Sequence, residues 1–279
     1  MRPLSPSRIR LLYPLGGMNG GTEPTLGTEE DRAFAQEIHT SLTAVEPLRV
    51  RLYALVKPVR GSRALQSEKR HPLGHLHTTF AMQALGVALD NLLAWNLIVQ
   101  CGTYPIYAHM TLLRAALEGA ATARWLVDPS VDYRERIRRG AIMQLDDWRQ
   151  RAAFEGAVSA ATSSQPRARL GKSGAERMAE HHDAMQRSGI TTERMPPITK
   201  IATDHGHLAL WRMTSAFAHG SPWSALVSDL VEMPGEPLWG SRRARISPAM
   251  KYSAFVTKVA VDLVTKAVGE VESHYGVGT

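Results

Sequence analysis

Apolar residues recur every three to four positions over most of this chain, which is the spacing of one face of an α-helix. The pattern is longest in four stretches, at residues 73–99, 106–127, 131–153 and 248–274. No run of alternating β-branched residues is long enough to indicate a strand. We therefore predict an all-α fold, a single helical bundle of six to eight helices in which the helix over 106–127 is the most buried.

The first part of the chain departs from this pattern. Residues 1–27 are rich in Pro and Gly, so we predict a disordered N-terminal tail. Thr28 and the acidic residues after it are typical of a helix start, and Pro47 predicts a kink or a restart. We assign residues 28–72 to N-terminal helices and a basic loop that pack on the core, and residues 73–279 to the helical-bundle core. Within that core we expect a polar helix over 174–187 and an irregular segment over 232–248.

Composition adds a cellular location and a modest preference for anionic partners. The net charge is +7 over 279 residues, which favours anionic partners but is small for a dedicated nucleic-acid binder. The single cysteine, Cys101, excludes an intrachain disulfide and predicts a reducing, cytoplasmic environment. Asp90, Asn91 and Asn96 interrupt the longest apolar stretch, so we predict a buried helix there and no membrane span.

A short stretch from Trp211 to Gly220 carries the strongest candidate chemistry. A helix advances about 100° per residue, so seven positions return Arg212 and His219 to one side, with Ser215 between them. The negative end of the helix dipole would favour a protonated His219. The alternative is a polar helix end at which His219 only caps the last carbonyl groups.

A second candidate lies in the predicted central helix, where Arg114 and Glu118 stand four residues apart among apolar side chains. Opposite charges in such a setting have to pair or meet other polar groups. We expect the two side chains to be buried and within hydrogen-bonding reach of each other or of the Arg212–His219 helix. A structural ion pair, a catalytic pair and an exposed pair all remain open.

The sequence carries no indication of a metal or a cofactor. His71 and His75 have the i,i+4 spacing that suits a metal ion, but no third ligand stands at a matching position. Phosphate-binding glycine loops, the zinc-protease helix motif and the serine nucleophile elbow are absent from the sequence. We therefore expect no cofactor and no metal.

Two short motifs resemble those of HEPN domains, which are α-helical bundles of prokaryotic toxin, abortive-infection and CRISPR-associated proteins. In HEPN domains four to six residues separate an arginine from a histidine, as between Arg212 and His219. Related bacterial helical proteins pair such a motif with an earlier one, matched here by Arg114, Glu118, Arg124, Trp125 and Leu126, and later by Ser215, His219 and Gly220. The resemblance covers roughly residues 73–275.

This resemblance implies a metal-independent endoribonuclease that acts in defence or stress response, usually as a homodimer whose motifs face each other. Arg212, Ser215 and His219 would be catalytic, and Arg114, Glu118 and Arg124 would contribute to binding. Arg242, Arg243 and Arg245 follow the motif closely and would form a basic rim for RNA. Met213 stands where active members carry a polar residue, so a degenerate, RNA-binding relative is also implied. The alternatives are a non-enzymatic helical interaction module and a small-molecule-binding helical bundle.

Overall fold

The computed structural model describes residues 9–11, 28–161, 172–205, 207–221, 224, 229–232, 242–247 and 249–277. Ten helices lie within these residues: α1 (Glu29–Leu42), α2 (Val45–Tyr53), α3 (Arg63–Arg70), α4 (Leu76–Gln100), α5 (Ala108–Val127), α6 (Tyr133–Ala161), α7 (Gly174–Arg187), α8 (Ile198–Asp204), α9 (Leu208–Ala218) and α10 (Met250–Tyr275). The predicted all-α helical-bundle fold class is confirmed.

The helices of the described residues outnumber the six to eight that we predicted. One additional helix, α3, lies inside the predicted basic loop over 57–72, where Ser62 is its N-cap and accepts a hydrogen bond from the Leu65 backbone N–H at 3.3 Å. The start of α1 agrees with the prediction, because Thr28 and Asp31 form a reciprocal capping box. Pro47 separates α1 from α2 less sharply than expected, since it occupies the first turn of α2, where a missing N–H costs little.

A small sheet is the feature that the sequence analysis missed. Strands β1 (Ile9–Leu11), β2 (Asp229–Glu232) and β3 (Arg242–Ser247) pair in the order β1-β3-β2, with β1 parallel and β2 antiparallel to β3. Strands of three to six residues are too short to show an alternating pattern. The prediction of an irregular 232–248 segment is therefore wrong for β3, and the predicted disordered tail is wrong for β1. The rest of residues 1–27 lies outside the described residues.

Two compact units divide the chain. The first unit comprises Met1–Tyr53, Leu85–Ala121 and Ala202–Val268, and the second comprises Ala54–Ala84, Thr122–Ile201 and Gly269–Thr279. The sheet and α9 belong to the first unit, whereas α3, α6 and α7 belong to the second. The assignment of residues 28–72 and 73–279 to an outer layer and a core remains a prediction.

Buried polar groups join the helices of the first unit. The indole N–H of Trp95 donates to Thr257 Oγ1 at 3.0 Å, and the His109 ring stacks on Trp95 with 5.0 Å between ring centroids. His109 Nε2 lies 2.8 Å from Ser253 Oγ. Burial lowers the pKa of His109 to about 4, so this imidazole is a neutral hydrogen-bonding group of the core.

Helix α5 has the largest share of buried positions among the long helices of the described residues, as predicted. Helix α4 begins and ends close to its predicted bounds. Its length and composition are sufficient to cross a membrane, a criterion that core helices of soluble proteins also meet. Leu85, Leu89 and Leu92 of α4 are fully buried within the protein.

Helices α6 and α4 approach each other closely in the second unit. An added Cβ at Gly140 of α6 would lie 2.4 Å from the backbone nitrogen of His77. The buried His77 in turn places Nε2 at 2.9 Å from Nε2 of His274 on α10. Burial and the neighbouring charge of Arg136 hold the pKa values of both imidazoles below their usual range, so both rings are neutral.

We predict that Gly140→Ala lowers the free energy of unfolding by about 1–3 kcal/mol, because the new methyl group overlaps the His77 backbone. Gly156→Ala on the same helix is the matched control. No atom lies within 4 Å of its added Cβ, so it should raise stability by about 0.5–1 kcal/mol. Urea denaturation followed by circular dichroism measures both, and equal effects of the two substitutions would refute the close approach.

Candidate functional site

The candidate site is built on the C-terminal end of α9. Gly220 adopts a left-handed conformation with φ of 60°, which a residue with a Cβ rarely does. The Ser221 N–H donates to the Ala216 carbonyl at 2.8 Å, and the Gly220 N–H donates to the Phe217 carbonyl at 3.1 Å. These two bonds form a Schellman motif and end the helix where the sequence predicted. His219 is thereby held as the C-cap residue.

A shallow surface groove of about 250 Å³ runs along this helix end. It is lined by Trp211, Arg212, Ser215, Ala216, His219 and Ser221. Arg212 and His219 are exposed to solvent, and Ser215 is half-buried. The structure thus brings the three residues of the predicted stripe to one open groove, as the helical rotation predicted.

Arg114 links α5 to this groove. Its Nε donates to Glu118 Oε1 at 2.8 Å, and its Nη1 lies 3.0 Å from Nε2 of His219. A guanidinium only donates hydrogen bonds, so His219 Nε2 must accept, and the proton of the neutral ring then lies on Nδ1. The expectation that the end of α9 favours a protonated His219 remains a prediction.

Glu118 receives a second donor from α9. The indole N–H of Trp211 donates to Glu118 Oε1 at 2.7 Å, and the Arg114 guanidinium carbon lies 5.2 Å from the centre of the Trp211 ring. The predicted hydrogen bonds of Arg114 and Glu118, to each other and to α9, are therefore confirmed. Their predicted burial is wrong, since 22% and 30% of the two side chains is exposed beside the open groove.

Trp211 is the residue of this cluster whose role the sequence analysis missed. Trp125, the tryptophan of the earlier motif, instead places its ring 5.2 Å from the guanidinium carbon of Arg139. The available signal was the position of Trp211 four residues before Ser215, which puts it on the side of α9 that Ser215 shares. Its partner Glu118 stands 93 residues earlier, and no local pattern connects the two.

Arg212 has no ion-pair partner among the described residues, and its side chain is exposed. Glu118 neutralises the charge of Arg114, so the Arg212 guanidinium leaves the groove with an excess of positive charge. An open groove that combines an unpaired guanidinium, an imidazole and the Ser215 hydroxyl has groups that can bind an anion and transfer a proton.

The remaining predicted residues lie elsewhere. Arg124 belongs to the second unit, where its Nε donates to Glu270 Oε2 at 3.0 Å and only 13% of its side chain is exposed. The backbone of Arg242, Arg243 and Arg245 forms part of β3, and their side chains lie outside what the structure describes. The binding roles of these four residues remain predictions.

Comparison with protein-family models, with curated proteins and with solved structures finds no match for this chain. The assignment of chemistry to the groove therefore depends on its own residues and on the motif resemblance.

We predict that Glu118→Gln lowers the free energy of unfolding by about 1–2 kcal/mol, because the substitution leaves Arg114 without its carboxylate partner. The effect is smaller than for a fully buried pair because water reaches both side chains. Urea denaturation gives the value.

Glu46→Gln is the matched control for this measurement. Glu46 pairs with Arg49 three residues away in the same unit, but 53% of the Glu46 side chain is exposed. Water screens such a surface pair, so its removal should leave the urea midpoint unchanged. Equal destabilisation by the two substitutions would show that Glu118 is an ordinary surface carboxylate.

Proposed function

We propose that the groove at the end of α9 binds RNA through its phosphate groups and cleaves it without a metal ion. The chain would then act as a HEPN-like endoribonuclease in defence or stress response. One observation carries this proposal: Arg212 and His219 line a single solvent-exposed groove, and Arg114 contacts the His219 ring from α5. The two arginines are the cations, and His219 is the proton-transfer group, that the reaction requires.

The charges of the groove suit a phosphodiester. Arg212 is available for a bidentate contact with two phosphate oxygens, which a planar guanidinium makes better than an ammonium group. The Arg114 Nη1 that donates to His219 can turn to a phosphate oxygen while its Nε stays on Glu118. Two guanidinium groups would then stabilise the charge that develops on the pentacoordinate phosphorus.

His219 supplies the general base in this mechanism. Once Arg114 turns to the phosphate, Nε2 of the neutral ring is free to take the proton of the ribose 2′-hydroxyl. The 2′-oxygen then bonds to phosphorus and the bond to the 5′-oxygen breaks, which leaves a cyclic phosphate and a 5′-hydroxyl. Protonation of the 5′-oxygen requires an acid, which His219 of a second copy in a homodimer would supply.

Ser215 positions the base. Its backbone carbonyl accepts the backbone N–H of His219 at 3.0 Å, and its side chain lines the groove. The Ser215 hydroxyl can therefore donate to a phosphate oxygen next to the imidazole.

RNA binding without cleavage is the second candidate, and one observation favours it. Arg114 already occupies the lone pair of His219 Nε2 that a general base would use. If Arg114 keeps this bond when phosphate binds, the groove binds RNA but leaves the 2′-hydroxyl without a base.

We predict that the protein cleaves single-stranded RNA in the presence of EDTA and that His219→Ala slows cleavage by about 100-fold or more, the usual contribution of a general base. Arg212→Ala should have a comparable effect, and Arg212→Lys should recover little of the activity. His39→Ala and Arg32→Ala are matched controls, because both residues are exposed on α1 of the same unit. Gel analysis of labelled RNA gives the rates.

RNA binding at increasing salt separates the two candidates. The logarithm of the association constant should fall with the logarithm of salt concentration, and Arg212→Ala should reduce this slope by about 0.7 for each phosphate that residue 212 no longer neutralises. Binding that responds to Arg212→Ala, with no cleavage by the wild type, would identify a binding module. Equal binding and cleavage by His219→Ala, Arg212→Ala and the α1 controls would refute both functions for this groove.

A further inference from the structure

A larger cavity lies within the second unit, and none of the residues that line the groove at α9 contributes to it. Its volume is about 580 Å³, which falls within the range of small-molecule sites. The end of α3, the first turns of α6 and the turn after α7 form its walls. Its lining contains both apolar and charged side chains, so its chemistry can be derived residue by residue.

Two arginines without carboxylate partners lie around Tyr133 in this cavity. The guanidinium carbons of Arg70 and Arg134 lie 4.9 Å and 5.9 Å from the centre of the Tyr133 ring. The Arg134 Nε also donates to Tyr133 Oη at 3.2 Å. Neither arginine forms an ion pair within the described part of the chain. The Tyr133 ring thus places two cations that form no ion pair on one wall.

A third arginine of the cavity differs from these two because carboxylates already neutralise its charge. Arg138 pairs with Glu135 at 2.6 Å and with Glu193 at 2.8 Å. The charge available to a ligand therefore comes from Arg70 and Arg134.

Neutral donors complete the polar wall. His71 Nδ1 accepts the Leu73 backbone N–H at 3.0 Å, so the proton of the neutral ring lies on Nε2. Burial lowers the pKa of His71, which favours this neutral form. The hydroxyl-bearing residues Ser188 and Thr191 line the same cavity. These groups can donate hydrogen bonds to the oxygens of an anion.

An apolar floor gives the cavity its second property. Ile137 is buried and Ile190 is half-buried, and both line the cavity. A ligand that only carried charge would leave this surface in contact with water. A ligand with an apolar body would bury it, which is favourable by about 25 cal/mol for each Å² removed from water.

One carboxylate limits how much negative charge the cavity accepts. Asp132 lines the cavity, and its Oδ1 accepts the Glu135 backbone N–H at 2.8 Å, which keeps its carboxylate at the start of α6. Glu135 also lines the cavity, but Arg138 and Arg139 neutralise its charge. Repulsion from Asp132 disfavours polyanions such as a nucleic-acid backbone, and favours a ligand with one anionic group.

We propose that this cavity is a binding site for a small organic anion, in which a single phosphate or carboxylate group is attached to an aromatic or aliphatic body. Arg70 and Arg134 bind the anionic group, the Nε2 proton of His71 donates to it, and the body lies on Ile137 and Ile190. This site is independent of the groove at α9 and of the function proposed there.

Fragment binding to the full-length chain tests the proposal, with saturation-transfer NMR as the measurement. Phenyl phosphate and benzoate are the probes, and they distinguish a phosphate ligand from a carboxylate ligand. Benzyl alcohol is the control that has the body without the charge. Inorganic phosphate is the control that has the charge without the body, and its binding is measured by competition with the probes. We expect at least one of the two probes to bind in the millimolar range and both controls to bind at least tenfold more weakly.

Substitutions locate the binding. Arg70→Gln and Arg134→Gln should each raise the dissociation constant of the probe about tenfold, which is the effect of removing one charge-assisted hydrogen bond. Both side chains are exposed, so neither substitution removes core packing. Arg60→Gln is the matched control, since Arg60 is an exposed arginine of the same unit that does not line the cavity. This control should leave probe binding unchanged.

Three results would overturn the proposal. The first is that neither probe shows saturation transfer, and the second is that benzyl alcohol or inorganic phosphate binds as well as the probes. The third is that Arg60→Gln weakens binding as much as Arg70→Gln does, which would indicate a general attraction of anions to a basic protein.

Discussion

The candidate site depends on one carboxylate oxygen that accepts two hydrogen bonds. Glu118 Oε1 receives the guanidinium Nε of Arg114 at 2.8 Å and the indole N–H of Trp211 at 2.7 Å. The first donor lies on the same helix and the second lies on α9, so this oxygen holds the two helices in register. Hydrogen bonds to a charged acceptor are stronger than neutral ones, so Glu118 strengthens the contact between α5 and α9. The Arg114 Nη1 is left to reach His219.

The end of α9 supplies the other half of the geometry. The Schellman motif at Gly220 terminates the helix at the residue that contacts Arg114, so His219 leaves the helical path where its ring can enter the groove. Arg212 lies two turns earlier on the same side. The resulting surface brings a guanidinium without an ion-pair partner in the described part of the chain, an imidazole and a hydroxyl to one groove, which is the basis of the proposed function.

The sequence was sufficient for features that depend on local spacing. The bounds of α7, the capping box at Thr28, the end of α9 at Gly220 and the shared side of Arg212 and His219 all follow from helical periodicity and cap preferences. Features that depend on distant contacts were not predictable. Trp211 meets Glu118 across 93 residues, and no local spacing connects the two. The short strands β1 and β3 pair only because the fold brings them together, and neither has a pattern of its own.

The tautomer of His219 tests most directly whether Glu118 and Arg114 position the His219 ring in the groove. Nitrogen-15 NMR of the imidazole at alkaline pH, assigned by comparison with His219→Ala, reports which ring nitrogen carries the proton. With Arg114 donating to Nε2, the proton should lie on Nδ1 in the wild type, and it should shift toward Nε2 when Glu118→Gln releases Arg114. A proton on Nε2 in the wild type, or the same tautomer in both proteins, would contradict this arrangement.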